Sequence, residues 1–197
     1  MATNYSTPTH FVGIHEKAFI FEEGVKDEPD LCLDAFRKSK EFHQCWIKNE
    51  DKCLIFHERE VQKQFLTEVE QNQSGCQCTI QIYHDSSSEQ AQGRAVMLYV
   101  IQDGQNMVVC CTENKDVCAE AMDLPSKIDK DAHKAVFYRR SLQSGTDMYM
   151  FESSLYRSRF LGFNKSSEQS SLDKLVLCQK DDKEVNERCE FSLFKCK

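Results

Sequence analysis

The stretch Arg94-Ala95-Val96-Met97-Leu98-Tyr99-Val100-Ile101-Gln102-Asp103-Gly104-Gln105-Asn106-Met107-Val108-Val109-Cys110-Cys111 decides the fold class. Residues 94–101 are almost wholly apolar, the composition of a strand buried on both faces. Asp103-Gly104 then sits between two apolar runs, and that dipeptide readily takes the positive φ angles of a tight hairpin turn. Residues 106–111 return as the second strand.

Working outward, residues 78–84 alternate Ile80 and Ile82 with Gln81 and Tyr83, a period of two that buries one face of a strand. A Ser-, Glu- and Gln-rich loop over 85–93 separates this strand from the hairpin. Further strands are expected at 45–49, 53–57, 134–140, 148–152, 159–163, 174–179 and 190–195, with loops at 114–116, 141–147, 166–171 and 180–187. Helix signals are weak: 119–131 contains Pro125, and 58–69 holds at most a short turn or two. Ten to twelve short strands need a closed or doubly layered sheet to cover their edges, so the chain is all-β. Periodicity leaves barrel and sandwich both open, and no internal repeat stands out.

The chain has 197 residues, 40% of them hydrophobic and 29% charged, which is the composition of a globular protein with one domain of ordinary size. A net charge of −7 without a basic cluster argues against a nucleic-acid partner. The N-terminal region has no cationic stretch followed by an unbroken apolar run, because His15, Glu16 and Lys17 interrupt residues 11–21. No stretch reaches the roughly 20 apolar residues of a membrane span. Synthesis in the cytosol is therefore expected, where thiols stay reduced. The eleven cysteines are an odd number, so one at least stays free, and most are expected as small buried residues. Cys76-x-Cys78 and Cys110-Cys111 lack zinc-ligand spacing, and neither a metal nor a cofactor is expected. The six histidines make no motif with a cysteine, and no nucleotide, hydrolase or metalloprotease motif occurs, so no catalysis is expected. The sequons at Asn4, Asn72 and Asn164 should stay unmodified without a signal peptide.

Charge changes abruptly near residue 34. Residues 1–34 carry a net −5 and the remaining 163 only −2, opening with Arg37, Lys38 and Lys40. Residues 11–21 are apolar enough to pair as a strand with the body, and 22–30 reads as an exposed linker. The Asp34–Ala35 bond has an aspartate before it, a small residue after it and apolar Leu31 upstream. A caspase binds such an aspartate in an Arg-lined pocket through a bidentate, charge-assisted contact that other side chains cannot copy. The expected division is an acidic propeptide, 1–34, and a domain, 35–197.

At Phe151-Glu152-Ser153-Ser154-Leu155-Tyr156-Arg157-Ser158-Arg159-Phe160-Leu161 the chain resembles the signature of the interleukin-1 cytokine family, Phe-x-Ser followed by an aromatic and Leu. Asp34-Ala35-Phe36, Trp46-Ile47-Lys48-Asn49, Leu54-Ile55-Phe56, Ala95-Val96, residues 136–141 and residues 174–177 follow in the family's order. Arg157 stands where the broader family often has proline, a feature of one branch. The resemblance implies a β-trefoil of about twelve strands, made as a cytosolic precursor without a leader. An inflammatory caspase would cut it, and the mature form would leave by a non-classical route as a monomer. Its partners would be a two-chain immunoglobulin-like receptor, an alpha and an accessory chain, and a soluble binding protein. By position, Lys38, Lys48, Glu70 and Arg94 would be charged receptor contacts that steer association.

Overall fold

The structure, a computed structural model, describes residues 9–15, 18–23, 36–71, 76–85, 93–130, 132–142, 146–164, 173–179 and 187–196. The chain forms two compact units, Met1–Cys32 and Leu33–Lys197. In the first, β1 (Thr9–His15) and β2 (Ala18–Glu23) pair antiparallel, with Phe11 opposite Phe21 and His15 opposite Ala18. The expected single strand over 11–21 is instead two strands paired with each other. The polar step His15-Glu16-Lys17 divides the apolar run, and each half completes the other's ladder. Glu22 and Glu23 of the expected linker belong to β2, and residues 24–30 lie outside the described residues.

The second unit runs β3 (Phe36–Asn49), β4 (Lys52–His57), β5 (Glu60–Gln64), the one-turn helix α1 (Glu68–Gln71), β6 (Cys78–Asp85), β7 (Arg94–Gln102), β8 (Gln105–Cys111) and β9 (Val117–Ala121). It continues with β10 (Lys127–Ile128), β11 (Phe137–Ser141), β12 (Met148–Ser153), β13 (Arg159–Phe163), β14 (Asp173–Gln179), a 3-10 helix Glu187–Cys189 and β15 (Phe191–Lys195). The antiparallel pairings β3–β6, β6–β7, β7–β11, β11–β12, β12–β15 and β15–β3 return to their start, so six strands close a barrel. Three hairpins, β4–β5, β8–β9 and β13–β14, extend from it. They join one another: Lys174 of β14 pairs with Gln62 of β5, and the Ala119 amide donates to the Arg59 carbonyl at 2.8 Å. A six-stranded barrel carrying three mutually joined hairpins is the β-trefoil, and closure settles the choice between barrel and sandwich.

The Asp103-Gly104 turn has φ 49° and 76°, the doubly positive geometry its composition favours. The central part of β7, residues 95–100, is apolar because both its faces are covered. Val96, Leu98 and Val100 point into the barrel core with Ile47, Ile80, Phe137 and Phe151. Ala95 and Met97 face a second cluster with Phe36, Tyr83, Val136 and Tyr138, where the Tyr83 hydroxyl donates to the Pro125 carbonyl at 2.9 Å.

The other expected strands are present, β3 and β11 with shifted starts. Three strands stood outside the expectation. In β5, Glu-Val-Gln-Lys-Gln offers little apolar pattern, and Val117-Cys118-Ala119-Glu120-Ala121 of β9 carries helix-forming residues. Pairing with β4 and β14, and with β8, overrides these local preferences. The two-residue β10 pairs with β3 just after Pro125. The expected loop at 114–116 is present, and 166–171 and 180–186 lie outside the described residues.

Candidate functional site

The family signature turns out to be structural. Phe151 is fully buried and meets Phe191 edge-on with ring centroids 5.6 Å apart, while Phe163 lies 5.8 Å from Phe191. Ser153 and Ser154 are buried, and their hydroxyls organise the turn: Ser153 Oγ accepts from the Tyr156 amide at 3.1 Å, and Ser154 Oγ donates to the His133 carbonyl at 2.9 Å. Glu152 pairs with Arg140 and accepts from the Ser158 amide at 2.9 Å. The signature spacing therefore reports what the core and one tight turn require.

The surface candidate is a cleft of about 790 Å³ where β15 runs between β3 and β12, with α1 at its rim. β3 contributes His43, Cys45, Trp46 and Lys48, and β15 contributes Leu193, Phe194 and Lys195. Arg139 and Tyr149 face it from β11 and β12, and Glu68, Gln71, Ile80 and Asp147 complete the wall. Alternation explains part of the lining: Ile47 and Asn49 turn inward along β3, so Trp46 and Lys48 turn outward, while His43 and the buried Cys45 reach the cleft from the other parity. Phe194 lies directly opposite Trp46 in the ladder, and the Lys48 ammonium stands 5.1 Å from the Phe194 ring. The Arg139 guanidinium stands 5.1 Å from the Tyr149 ring, and its partial burial holds its pKa below the usual value. The Trp46 indole donates to the Gln71 carbonyl at 2.8 Å and so ties α1 to β3. The result is aromatic surface beside four basic side chains, His43, Lys48, Arg139 and Lys195, against two carboxylates. Such a surface suits a macromolecular partner that offers apolar and acidic groups together.

Lys48 lies in this cleft. Arg94 is exposed and pairs across the ladder with Arg139, and its guanidinium reaches Glu41 at 3.2 Å, a carboxylate that also lies 3.4 Å from His43. Glu70 sits in α1 between the lining residues Glu68 and Gln71, and it completes a capping box: its carboxylate accepts from both the Thr67 amide and the Thr67 hydroxyl at 2.8 Å. Those two bonds hold its carboxyl below the usual range. Lys38 stands apart from the cleft, farther along β3 opposite Tyr83, with its amide donating to the Ser126 carbonyl at 2.8 Å. Leu31, Asp34 and Ala35 lie outside the described residues. Sequence reasoning missed Trp46, Arg139, Tyr149 and Phe194. The usable signal was the alternation of β3 and β15, which throws one aromatic of each strand outward.

The described cysteines are free thiols, most of them buried. Burial pushes Cys45 and Cys110 up to about 12 and Cys111 up to about 11. Among the described residues no group of His, Cys, Asp or Glu is placed to hold a metal ion, and no helix is long and apolar enough to cross a membrane.

Comparison with known proteins bears on this geometry. A family profile described as Interleukin-1 / 18 matches residues 66–189. Interleukin-18 of Mus musculus is 32% identical over 132 residues, covering 67% of this chain and 65% of that protein. Interleukin-18 of Boselaphus tragocamelus is 35% identical over 103 residues, covering 52% of this chain and 49% of the relative. The chain thus spans about half the length of most curated relatives it matches. The crystal structure of chicken cytokine interleukin 1 beta superposes with a TM-score of 0.59 at 18% identity, covering 81% of this chain and 99% of that one, a likeness of fold. Profile, relatives and barrel agree, and the chain belongs to the interleukin-1/interleukin-18 family.

Proposed function

We propose that this chain is the precursor of a proinflammatory cytokine resembling interleukin-18, acting by binding and without catalysis. An inflammatory caspase cuts after Asp34 and releases residues 35–197 from an acidic propeptide. The mature domain engages an interleukin-18-type receptor, alpha chain and accessory chain, as a monomer. Engagement triggers NF-kappa-B-type signalling and interferon-gamma induction, and a soluble binding protein competes for the same surface. The precursor resides in the cytosol, and the mature form is secreted by a non-classical route. The observation that carries the reading is the cleft, which sets Lys48 over Phe194 and Arg139 over Tyr149 on the surface of a family domain. The boundary between the two compact units falls after Cys32, beside the Asp34–Ala35 bond, which supports the processing step.

The test is incubation of the full-length chain with an inflammatory caspase, wild type beside Asp34→Ala, with N-terminal sequencing and a receptor-reporter assay. One cut giving an Ala35 N-terminus, with signalling gained by the wild type only, is the expected result. Receptor binding without signalling would instead make the domain an antagonist. Absence of both cutting and binding would make it an intracellular β-trefoil binding module.

A further inference from the structure

Gly162 of β13 faces two sulfurs. A β-carbon built there would stand 2.7 Å from Cys189 Sγ, 2.8 Å from Cys178 Sγ and 3.1 Å from the Arg188 carbonyl. Glycine leaves the space that the two thiols occupy together. Cys178 is held in the ladder opposite Phe160, and Cys189 ends the 3-10 helix whose flanking carbonyls, Glu187 and Glu190, both accept from Asn49 Nδ2 at 2.8 Å. Both sulfurs thus ride on pinned backbone, walled by Met150, Phe160 and Val176. Cys189 is fully buried and Cys178 is 9% exposed, so Cys178 is the one nearer solvent.

We propose that Cys178 and Cys189 form a dithiol site that a peroxide converts into an intramolecular disulfide, clipping β14 to the turn that enters β15. Chemistry sets this pair apart from the other close pairs. Cys45 faces Cys78 and Cys110 faces Cys118 across their ladders, yet burial raises all four of those thiols. Cys178 moves the other way: the hydrogen bond from Cys189, with the Arg188 guanidinium nearby, lowers it and raises Cys189. Cys178, the member nearer solvent, is the one a peroxide reaches first and so the attacking thiol, and the fully buried Cys189 against it is the resolving one. The Cys178 thiolate attacks one peroxide oxygen, the O–O bond breaks, and the departing hydroxide takes a proton to become water. Cys189 sulfur then attacks the resulting sulfenic acid, the S–O bond breaks, and the Cys189 proton leaves with the hydroxide as a second water. Two thiols lose two electrons and one hydrogen peroxide becomes two waters. This site goes beyond the receptor reading and does not depend on it.

The experiment titrates the full-length chain with hydrogen peroxide, blocks remaining thiols with iodoacetamide and maps tryptic peptides by mass spectrometry. The expected product joins residues 175–180 to residues 189–195, at peroxide levels about tenfold lower than those that oxidise Cys45, Cys110 or Cys111. Dithiothreitol should release it. In Cys189→Ala, Cys178 should instead accumulate as a dimedone-reactive sulfenic acid. Full alkylation of Cys178 and Cys189 while other cysteines oxidise overturns the proposal. So does a disulfide joining either of them to a third cysteine, or a linked product that appears only when the other cysteines oxidise. The wild-type map is decisive even if the variant does not fold.

Discussion

Phe191 and Phe194 stand on one short strand and meet opposite fates. Phe191 is 1% exposed and packs against Phe151 and Phe163, whereas Phe194 is 49% exposed and lies under the Lys48 ammonium in the cleft. Both rings stand on paired backbone, Phe191 opposite Tyr149 of β12 and Phe194 opposite Trp46 of β3. The residue type is the same, and only the direction of the Cβ differs. An aromatic ring turned inward supplies the hydrophobic stabilisation of the barrel, and one turned outward beside cations supplies contact area for a partner.

The largest expected effect breaks the inner half. Phe191→Ala should cost about 3–5 kcal/mol of stability by urea denaturation, the range for a buried aromatic whose cavity cannot collapse. A cost below about 1 kcal/mol would remove the distinction between the two rings. Phe194→Ala should stay within about 0.5 kcal/mol of wild type in the same measurement while weakening receptor binding about tenfold.

Asn49 tests how the inner end is closed. Its amide donates to the Glu187 and Glu190 carbonyls, and its Oδ1 accepts from the Lys63 ammonium at 2.6 Å. Asn49→Ala leaves those groups without that partner and should cost about 1–3 kcal/mol. Calorimetric melting of the full-length chain would read it, and an unchanged melting temperature would show that water replaces the amide at no cost.

The smallest effect depends on pH. Burial, together with Lys134 and Lys130, holds the pKa of His133 below its usual 6.5, and its Nδ1 accepts from the Ala135 amide at 3.1 Å. The unfolded chain therefore binds this proton at a higher pH than the folded one, so stability falls as pH drops below about 6.5 and levels off below the folded value. Urea midpoints for wild type and His133→Gln, measured between pH 7 and pH 5, should diverge in slope. Parallel curves would assign the acid sensitivity to other groups.

Much of the fold was legible because the local signals were strong. The Asp103-Gly104 turn and the doubly buried β7 follow from turn chemistry and composition alone, and β13 was read to the residue. β5 and β9 were not legible, since their residues favour strand only when a neighbouring ladder is present. Of the charged positions carried over from the family, Lys48 proved to line the cleft, whereas Glu70 serves first as a helix cap. No charge pattern could have distinguished those two roles, because capping depends on where Thr67 ends the preceding segment.

Composition, periodicity and turn residues were sufficient for an all-β chain with many short strands and largely buried cysteines. Those properties depend on neighbours in sequence, and a period of two is visible in any window. Closure of the barrel, the seating of Phe194 beneath Lys48, and the meeting of Cys178 with Cys189 under Gly162 required the tertiary structure. Each joins residues whose separation in sequence carries no information about their separation in space, and register between distant strands is set by the whole sheet at once.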